Sequence, residues 1–212
     1  MHVSGDEQRK AQPPELKTTI TSEELNALPL KAFSGKIYVV TDPDKLGSVA
    51  REIENYKIVG FDTETRPSFK RGQSFKVALL QLALPDKVFL IRIHQTGLPR
   101  EIISVFENRN IVKAGVAIHD DIKALQKITP FTPTAFIELS TMAKASGLLV
   151  ESVKKLAGLL LGFRISKTAQ TSNWEAATLS EKQLEYAATD AWVCLEIYRH
   201  LKAMPLPVAG NE

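Results

Sequence analysis

The sequence predicts an α/β fold: a mixed central β-sheet, built from an antiparallel meander plus parallel strands, with helices on both faces. Apolar strand-like runs at 58–64, 75–84 and 87–93 follow one another closely, and the Pro85-Asp86 turn separates the last two, so these runs form a meander. Later strand-like runs alternate with helical patterns, as parallel strands do. The run 75–84 is apolar on both faces, which is typical of a central strand covered on both sides.

Composition favours a single soluble domain with extensions. The chain has 212 residues, of which 44% are hydrophobic and 24% are charged. Residues 1–35 are expected to form a flexible N-terminal arm with a short accessory helix, residues 36–204 the globular domain, and residues 205–212 a disordered tail.

Charge and cysteine content narrow the functional classes. The net charge of +3 permits a polyanionic partner without arguing for one. A single cysteine, Cys194, excludes an intrachain disulfide framework and a cysteine-based zinc site, and it fits a reducing compartment. The chain has neither a run of about 18 uninterrupted apolar residues nor the layout of a secretory signal at its start. We therefore expect a cytoplasmic protein that does not enter a membrane.

Each expected element has its own local signal. Capping boxes at Thr21-Glu24 and Ser180-Gln183 begin the first and last helices, and prolines end both. The other boundaries come from apolar periodicity and turn residues. In chain order the patterns predict a helix from Ser22 to Pro29, a strand over 36–40, a helix from Asp42-Pro43 to Ile53, strands over 58–64, 75–84 and 87–93, a helix from Pro99 to Phe106, a strand over 111–116, a helix over 119–128, a strand over 136–139, helices over 139–145 and 153–161, and a last helix from Ser180 to about Met204.

The strand at 58–64 ends in two acids that share one of its faces. Strand side chains alternate with a period of two, so Asp62 and Glu64 lie on the same side as Gly60. Two neighbouring carboxylates repel each other and are costly to bury without a cation. Their oxygens suit Mg²⁺ or Mn²⁺. An isolated Asp-x-Glu is more often a hydrated strand end, so the rest of the chain must decide.

Two helices contribute further candidates. Asp121 lies on the apolar face of the helix at 119–128, whereas Asp120 lies nearer its solvent face. If the helix register differs by one residue, Asp120 becomes the candidate; an acid favoured by the helix dipole is the structural alternative. In the last helix, Tyr186 and Asp190 are four residues apart and therefore lie on one face.

This ordered set of four acids and a tyrosine resembles the family of 3′-5′ exonucleases with the ribonuclease H-like fold. Within that family the resemblance is strongest to the exonuclease domain of Werner syndrome helicases, with ribonuclease D and the proofreading domain of DNA polymerase I more distant. It covers residues 36–202. The segments that carry it are V-G-F-D-T-E at 59–64, K-V-A-L-L-Q-L at 76–82, K-A-G-V-A-I-H-D-D at 113–121, S-N-W at 172–174 and L-E-Y-A-A-T-D-A at 184–191.

The resemblance implies a two-metal-ion hydrolysis of DNA or RNA from the 3′ end, which releases nucleoside monophosphates and uses Mg²⁺ or Mn²⁺. It implies that Asp62 bridges two ions, that Glu64 and Asp190 complete one ion site, and that Asp121 supports the second through water. Tyr186 then orients the attacking water, because a free phenol has a pKa near 10 and is a poor base.

Several other residues have competing interpretations. Arg66, Lys70, Arg71 and Lys167 are candidates for binding substrate phosphates, although a basic loop is often only solvated. Trp174 fits core packing better than base stacking, and His119 fits a loop or helix-cap role better than metal ligation.

Two alternatives to an active exonuclease remain open. The first is a catalytically inactive nuclease fold that binds nucleic acid or protein, and the filled catalytic positions favour the active enzyme over it. The second is a different enzyme on the same fold. An endonuclease or integrase on the same fold would lack the Tyr-x-x-x-Asp pair. The oligomeric state, and the choice between DNA and RNA, are not fixed by the sequence.

Overall fold

The structure is a computed structural model, and it describes residues 17–67 and 75–204. Fourteen helices and strands follow one another in the order that the sequence predicts, except that one of them, the short helix α3, was not predicted. They are α1 (Ser22–Ala27), β1 (Lys36–Val40), α2 (Leu46–Ile53), β2 (Ile58–Thr65), β3 (Val77–Ala83), β4 (Lys87–Ile91), α3 (Ile93–Thr96), α4 (Arg100–Glu107), β5 (Val112–Gly115), α5 (Ile118–Gln126), β6 (Phe136–Glu138), α6 (Leu139–Ala145), α7 (Val153–Leu156) and α8 (Glu181–Ala203).

The six strands form one sheet in the order β1-β4-β3-β2-β5-β6. Strands β2, β3 and β4 pair antiparallel, whereas β1 joins β4, and β5 joins β2 and β6, in parallel. The predicted mixed sheet is confirmed. In this order β2 lies in the interior of the sheet, where hydrogen bonds to β3 on one side and to β5 on the other hold it in place.

Helices cover both faces of the sheet, as predicted. On one face, α2 and α4 bury their apolar sides against Val59 and Phe61 of β2. On the other face, α8 packs its alanines against Leu79 and Ala83 of β3. The α8 face is therefore the one that carries Asp62 and Glu64, because side chains two apart on β2 share a side.

One predicted boundary is wrong, and two predicted helices change type along their length. The strand predicted over 87–93 ends at Ile91, and a short helix, α3, begins at Ile93. The 3₁₀ turn Pro43–Lys45 precedes α2, although Asp42 caps it as expected. Helix α7 ends at Leu156 and continues as a π-helical turn over Ala157–Leu161. Apolar periodicity cannot separate these tighter and wider turns from an α-helix.

The segment before β1 contacts the domain closely. Ile20 and Phe33 are buried, the Leu149 amide donates to the Thr18 carbonyl at 2.8 Å, and the Phe33 amide donates to the Thr189 hydroxyl of α8 at 3.0 Å. The division into arm, domain and tail stays a prediction, because residues 1–16 and 205–212 lie outside the described part. No helix in that part combines the length and the hydropathy needed to cross a bilayer.

Gly60 lets α8 approach β2. A Cβ atom at residue 60 would lie 1.9 Å from the carbonyl oxygen of Ala191, a backbone atom that cannot turn aside. This close approach brings the backbone of α8 directly over the strand that carries Asp62.

Replacing Gly60 by Ala should therefore destabilise the fold, by about 3 kcal/mol or more, since α8 must move off the sheet. Gly47→Ala is the matched control: its Cβ would meet its nearest neighbour, the Arg51 side chain, at 3.5 Å. That change in α2 should be neutral or stabilising by up to about 1 kcal/mol. Urea unfolding measures both free energies. Equal stability of the two variants would refute the close packing.

Candidate active site

Three carboxylates meet where β2 and α8 cross. Asp62, Glu64 and Asp190 each offer an oxygen, and these oxygens lie within 4.8 Å of one another. The first two come from one face of β2 and the third from α8, which Gly60 admits to the strand. Asp190 is buried, at 6% exposed, while the other two are half-buried.

The cluster contains buried polar atoms that have no hydrogen-bond partner among the described residues. The Oδ1 atom of Asp190 is buried and has no hydrogen-bond partner among the described residues, and the same holds for both side-chain amide atoms of Gln81. Gln81 pairs with Asp62 across the β2–β3 ladder, so it lies on the same face of the sheet. Buried polar groups normally have partners, so this group of orphaned atoms indicates a ligand or water.

Burial and mutual repulsion disfavour ionisation of these acids in the protein alone. Desolvation raises the pKa of Glu64 to about 9, with further contributions from the charges of Asp62 and Asp190. Desolvation likewise raises the pKa of Asp190 to about 6. The pKa of Asp62 is well above its usual range, again through burial and then through the two neighbouring aspartates. A positive charge placed among them would reverse this trend.

A divalent cation fits this set of residues. The ligands are hard oxygens, at least three of them converge, and one buried oxygen lacks a partner. Mg²⁺ and Mn²⁺ prefer such carboxylate oxygens. The acidic cluster is therefore a candidate metal site, as the sequence predicts.

Tyr186 lies beside Asp190 on α8 and is buried, at 6% exposed. Desolvation raises the pKa of the phenol far above its usual range, and the charge and hydrogen-bonding capacity of Asp190 raise it further. The hydroxyl therefore keeps its proton and acts as a hydrogen-bond donor. This agrees with the orienting role that the sequence analysis prefers over proton abstraction.

Asp121 lies beside the cluster but outside the group of three. It is half-buried, and its carboxylate accepts a hydrogen bond from the Thr63 hydroxyl of β2. Burial raises the pKa of Asp121, partly offset by that hydrogen bond. Asp120 points to solvent, with its side chain 94% exposed. The helix register therefore favours Asp121, as the apolar face predicts.

Glu138 fixes the start of α5 and thus the place of Asp121. The N-cap residue Ala117 is in the left-handed conformation (φ 59°) and has no side chain able to cap. The backbone amides of Ala117 and Ile118 instead donate to the two carboxylate oxygens of Glu138, each at 3.0 Å. Two strong hydrogen bonds that one carboxylate accepts replace the missing cap.

If the cluster catalyses the hydrolysis that the resemblance implies, Asp121→Asn should lower its rate about 10- to 100-fold, as the loss of an outer ligand or its support does. Asp120→Asn, one residue away and exposed, should leave the rate within twofold. Initial rates of both variants on one labelled oligonucleotide measure the difference. A larger loss in Asp120→Asn would show that the register assignment is wrong.

The other predicted residues have mixed placements. Arg66 is exposed; its guanidinium lies 3.6 Å from the Glu175 carboxylate and 5.0 Å from the Phe75 ring centre. Trp174 is fully buried, which confirms core packing. His119 lies exposed in the first turn of α5. Lys167 lines a cavity near the cluster, and the predicted phosphate contacts of Lys70 and Arg71 lie outside the described residues.

Residues that the sequence analysis did not select also reach the site. Gln81 could have been noticed as the one amide inside an otherwise apolar strand. Lys154, on α7, feels the charges of both Lys167 and Asp190, which places it near the cluster. No local pattern signals Lys154, because its helix is brought to the site only by the fold.

Two kinds of cavity flank the carboxylates. A largely apolar cavity of about 410 Å³ includes Asp62, Val116, Val153 and Cys194 in its wall. On the side of Tyr186 a smaller cavity of about 200 Å³ is lined by Leu30, Lys31 and Ser166. A flexible polymer with an apolar base and a charged backbone has room on either side of the cluster.

A mixed sheet of this order, with carboxylates gathered at one of its two central strands, has the architecture of the ribonuclease H-like fold. The 3′-5′ exonuclease family profile matches residues 37–205. The chain therefore belongs to the 3′-5′ exonuclease family, whose members are hydrolases that act on nucleic acids.

Individual relatives agree. The chain is 33% identical over 184 residues to the bifunctional 3′-5′ exonuclease/ATP-dependent helicase WRN of Mus musculus, covering 82% of this chain and 13% of that protein. It is 29% identical over 199 residues to a 3′-5′ exonuclease of Arabidopsis thaliana, covering 86% and 69%. The chain thus spans only a small part of the first relative.

Solved structures share the fold. The EXO domain of Aedes aegypti Nibbler superposes with a TM-score of 0.73 at 24% identity and covers 81% of this chain and 91% of that one. Trypanosoma brucei RNase D in complex with RNA U12 superposes with a TM-score of 0.72 at 19% identity, covering 83% and 66%. The predicted ribonuclease H-like fold is confirmed.

Proposed function

We propose that the chain is an active, metal-dependent 3′-5′ exonuclease that removes nucleoside 5′-monophosphates from a nucleic-acid strand by a two-metal-ion mechanism. The observation that carries the proposal is the convergence of Asp62, Glu64 and Asp190 within 4.8 Å, with one buried oxygen of Asp190 unpartnered. Carboxylates held this way at a rigid strand are suited to bind Mg²⁺ or Mn²⁺.

In the reaction, water adds to the scissile phosphorus and the bond from phosphorus to the 3′ oxygen breaks. The shortened strand keeps a 3′ hydroxyl, and a nucleoside 5′-monophosphate leaves. Divalent cations bound here would activate the water and neutralise charge on the phosphate and the leaving oxygen. Asp62, Glu64 and Asp190 would hold them, and Asp121, whose carboxylate accepts a hydrogen bond from the Thr63 hydroxyl, would support them.

Tyr186 positions the attacking water. Its phenol stays protonated because burial and the adjacent Asp190 raise its pKa far above neutral. A neutral hydroxyl donates a hydrogen bond to water or phosphate oxygen and holds it in line, which contributes by orientation. Because the phenol keeps its own proton, it would not take the proton of the water.

The substrate is a DNA or RNA strand with a free 3′ end. The RNase D neighbour binds RNA, whereas the WRN relative is named as an exonuclease and helicase. These relatives support a nucleic-acid substrate and leave both chemistries open. Arg66 and, outside the described residues, Lys70 and Arg71 are proposed to contact its phosphates.

An end-label digest tests the proposal. Single and double strands of DNA and RNA, labelled at the 5′ or the 3′ end, are incubated with Mg²⁺, Mn²⁺ or EDTA. A 5′ label should yield a ladder that shortens by single nucleotides, a 3′ label should be released at once as a mononucleotide, and EDTA should stop both. Binding without cleavage in every metal condition would instead identify an inactive nuclease fold, and internal cuts an endonuclease.

A further inference from the structure

Two adjoining cavities lead away from the carboxylate cluster. The first, about 200 Å³, begins at Tyr186 and Asp190; the second, about 450 Å³, continues along the protein surface. They share Leu30 and Ser166 in their walls. Together they form one groove, here called the basic groove, that opens at the candidate active site.

The charges that line this groove are mostly positive. Lys31 lines the first cavity, and Lys154, Arg164 and Lys167 line the second. The acids in its wall, Glu185 and Asp190, lie in the first cavity at the active-site end. A lining of one sign next to a cluster of the opposite sign suits a ligand that carries repeated negative charges toward the carboxylates.

The two walls of the groove come from distant parts of the sequence. Leu30 and Arg164 form a parallel bridge: the Arg164 amide donates to the Pro29 carbonyl and the Lys31 amide to the Arg164 carbonyl, each at 2.9 Å. The Arg164 side chain donates from Nε to the Leu28 carbonyl at 3.1 Å. Gly158 leaves room for Leu25 and Leu28 to pack beneath this wall. The groove is therefore built into the fold.

Lys154 lines the second cavity of the groove. It is half-buried, its ammonium lies 3.5 Å from the Gln170 amide oxygen, and no carboxylate pairs with it among the described residues. Desolvation lowers the pKa of Lys154, the nearby positive charge of Lys167 lowers it further, and the charge of Asp190 partly offsets both effects. Lys154 and Lys167 line the same cavity, so an anion bound between them would reduce their mutual repulsion.

We propose that the basic groove is the path of the substrate strand outside the cleavage point, with Lys154 and Lys167 binding its backbone phosphates. This rests on the proposed function, because that function places the cleavage point at the carboxylate cluster where the groove opens. The N-terminal segment through Lys31 thereby forms a wall of the substrate path. Phosphate contacts of this kind position a strand without reading its sequence.

The test compares Lys154→Ala, Lys167→Ala and their double variant with Lys155→Ala. Lys155 is the matched control, since it lies next to Lys154 on α7, is exposed, and does not line the groove. Binding of a fluorescent single-stranded 12-mer is followed by anisotropy in Ca²⁺ or EDTA, so that the measurement of Kd does not depend on hydrolysis. Hydrolysis of the same 12-mer and of a dinucleotide is measured separately in Mg²⁺.

Each groove variant should raise Kd about tenfold at low salt. The slope of log K against log salt should fall by about 0.7 for each phosphate contact removed. Lys155→Ala should change Kd less than twofold. In the groove variants dinucleotide hydrolysis should fall less than 12-mer hydrolysis, because the single internucleotide phosphate of a dinucleotide lies at the carboxylates. Unchanged Kd and salt slope in the double variant, or an equal loss in Lys155→Ala, would overturn the groove assignment.

These outcomes separate the two proposals. If the wild type hydrolyses the strand and the double variant binds it normally, the exonuclease proposal stands and the groove proposal is wrong. If the wild type does not hydrolyse the strand but its binding depends on Lys154 and Lys167, the groove proposal stands and the exonuclease proposal is wrong.

Discussion

Replacing Asp62 by Asn is expected to lower the rate of 3′-5′ hydrolysis by about 10³-fold or more. Asp62 is central to the acidic cluster, between Glu64 on its own strand and Asp190 on α8. An amide offers one neutral oxygen in place of a charged carboxylate, so it holds a divalent cation poorly. Since such cations contribute several kcal/mol to transition-state stabilisation, and each 1.36 kcal/mol is tenfold in rate, about 10³ is a low estimate.

The control for Asp62→Asn is the stability of its fold. The pKa of Asp62 is raised well above its usual range by burial and by its acidic neighbours, so removing its charge should not weaken the metal-free protein at pH 8. Urea unfolding is expected to show equal or greater stability than wild type. A well-folded variant that retains a tenth of the wild-type rate would refute the central place of Asp62.

Replacing Tyr186 by Phe is expected to lower kcat about 10- to 100-fold with KM nearly unchanged. The ring still fills the buried space beside Trp174, whose ring centre lies 6.1 Å away, so only the hydroxyl is lost. An orienting hydrogen bond acts in the transition state and contributes little to ground-state binding.

The pH profile distinguishes orientation from proton abstraction by Tyr186. If the phenol only orients water, the profile of kcat should keep its shape in Tyr186→Phe, at a lower height. Loss of an ionisation in the variant's profile would show that the tyrosine titrates during catalysis. Quench-flow rates from pH 6 to pH 9 provide the measurement.

Local patterns predicted the parts of the site that strands and helices present directly. Period-two alternation placed Asp62 and Glu64 on one face of β2, and the apolar face of α5 separated Asp121 from Asp120. Spacing along α8 put Tyr186 beside Asp190. In each case a regular backbone fixes the side-chain direction, so sequence spacing translates into geometry.

The parts of the site that the sequence did not predict depend on contacts between distant segments. Lys154 and Gln81 reach the site through helix and strand packing that no local pattern encodes. The groove wall requires a bridge between Leu30 and Arg164, which are far apart in the chain. The π-helical turn at Ala157–Leu161 has the same apolar spacing as an α-helix over so few residues.

The central claim, that Asp62, Glu64 and Asp190 form a divalent-cation site, is tested most directly by unfolding the protein at several pH values with and without Mg²⁺. The folded-state pKa of Glu64, about 9, exceeds its ordinary value of 4.5, and that of Asp190, about 6, exceeds 3.8. The folded protein therefore binds more protons than the unfolded chain between these limits, so the free energy of unfolding falls as pH rises.

We predict that the metal-free protein loses stability steadily from pH 5 to pH 9, and that saturating Mg²⁺ restores most of the loss at pH 8 to 9 by replacing the protons. Asp62→Asn should show a shallower loss and little gain from Mg²⁺. A wild-type stability at pH 8 that Mg²⁺ does not change, or an equal gain in Asp62→Asn, would contradict the metal site.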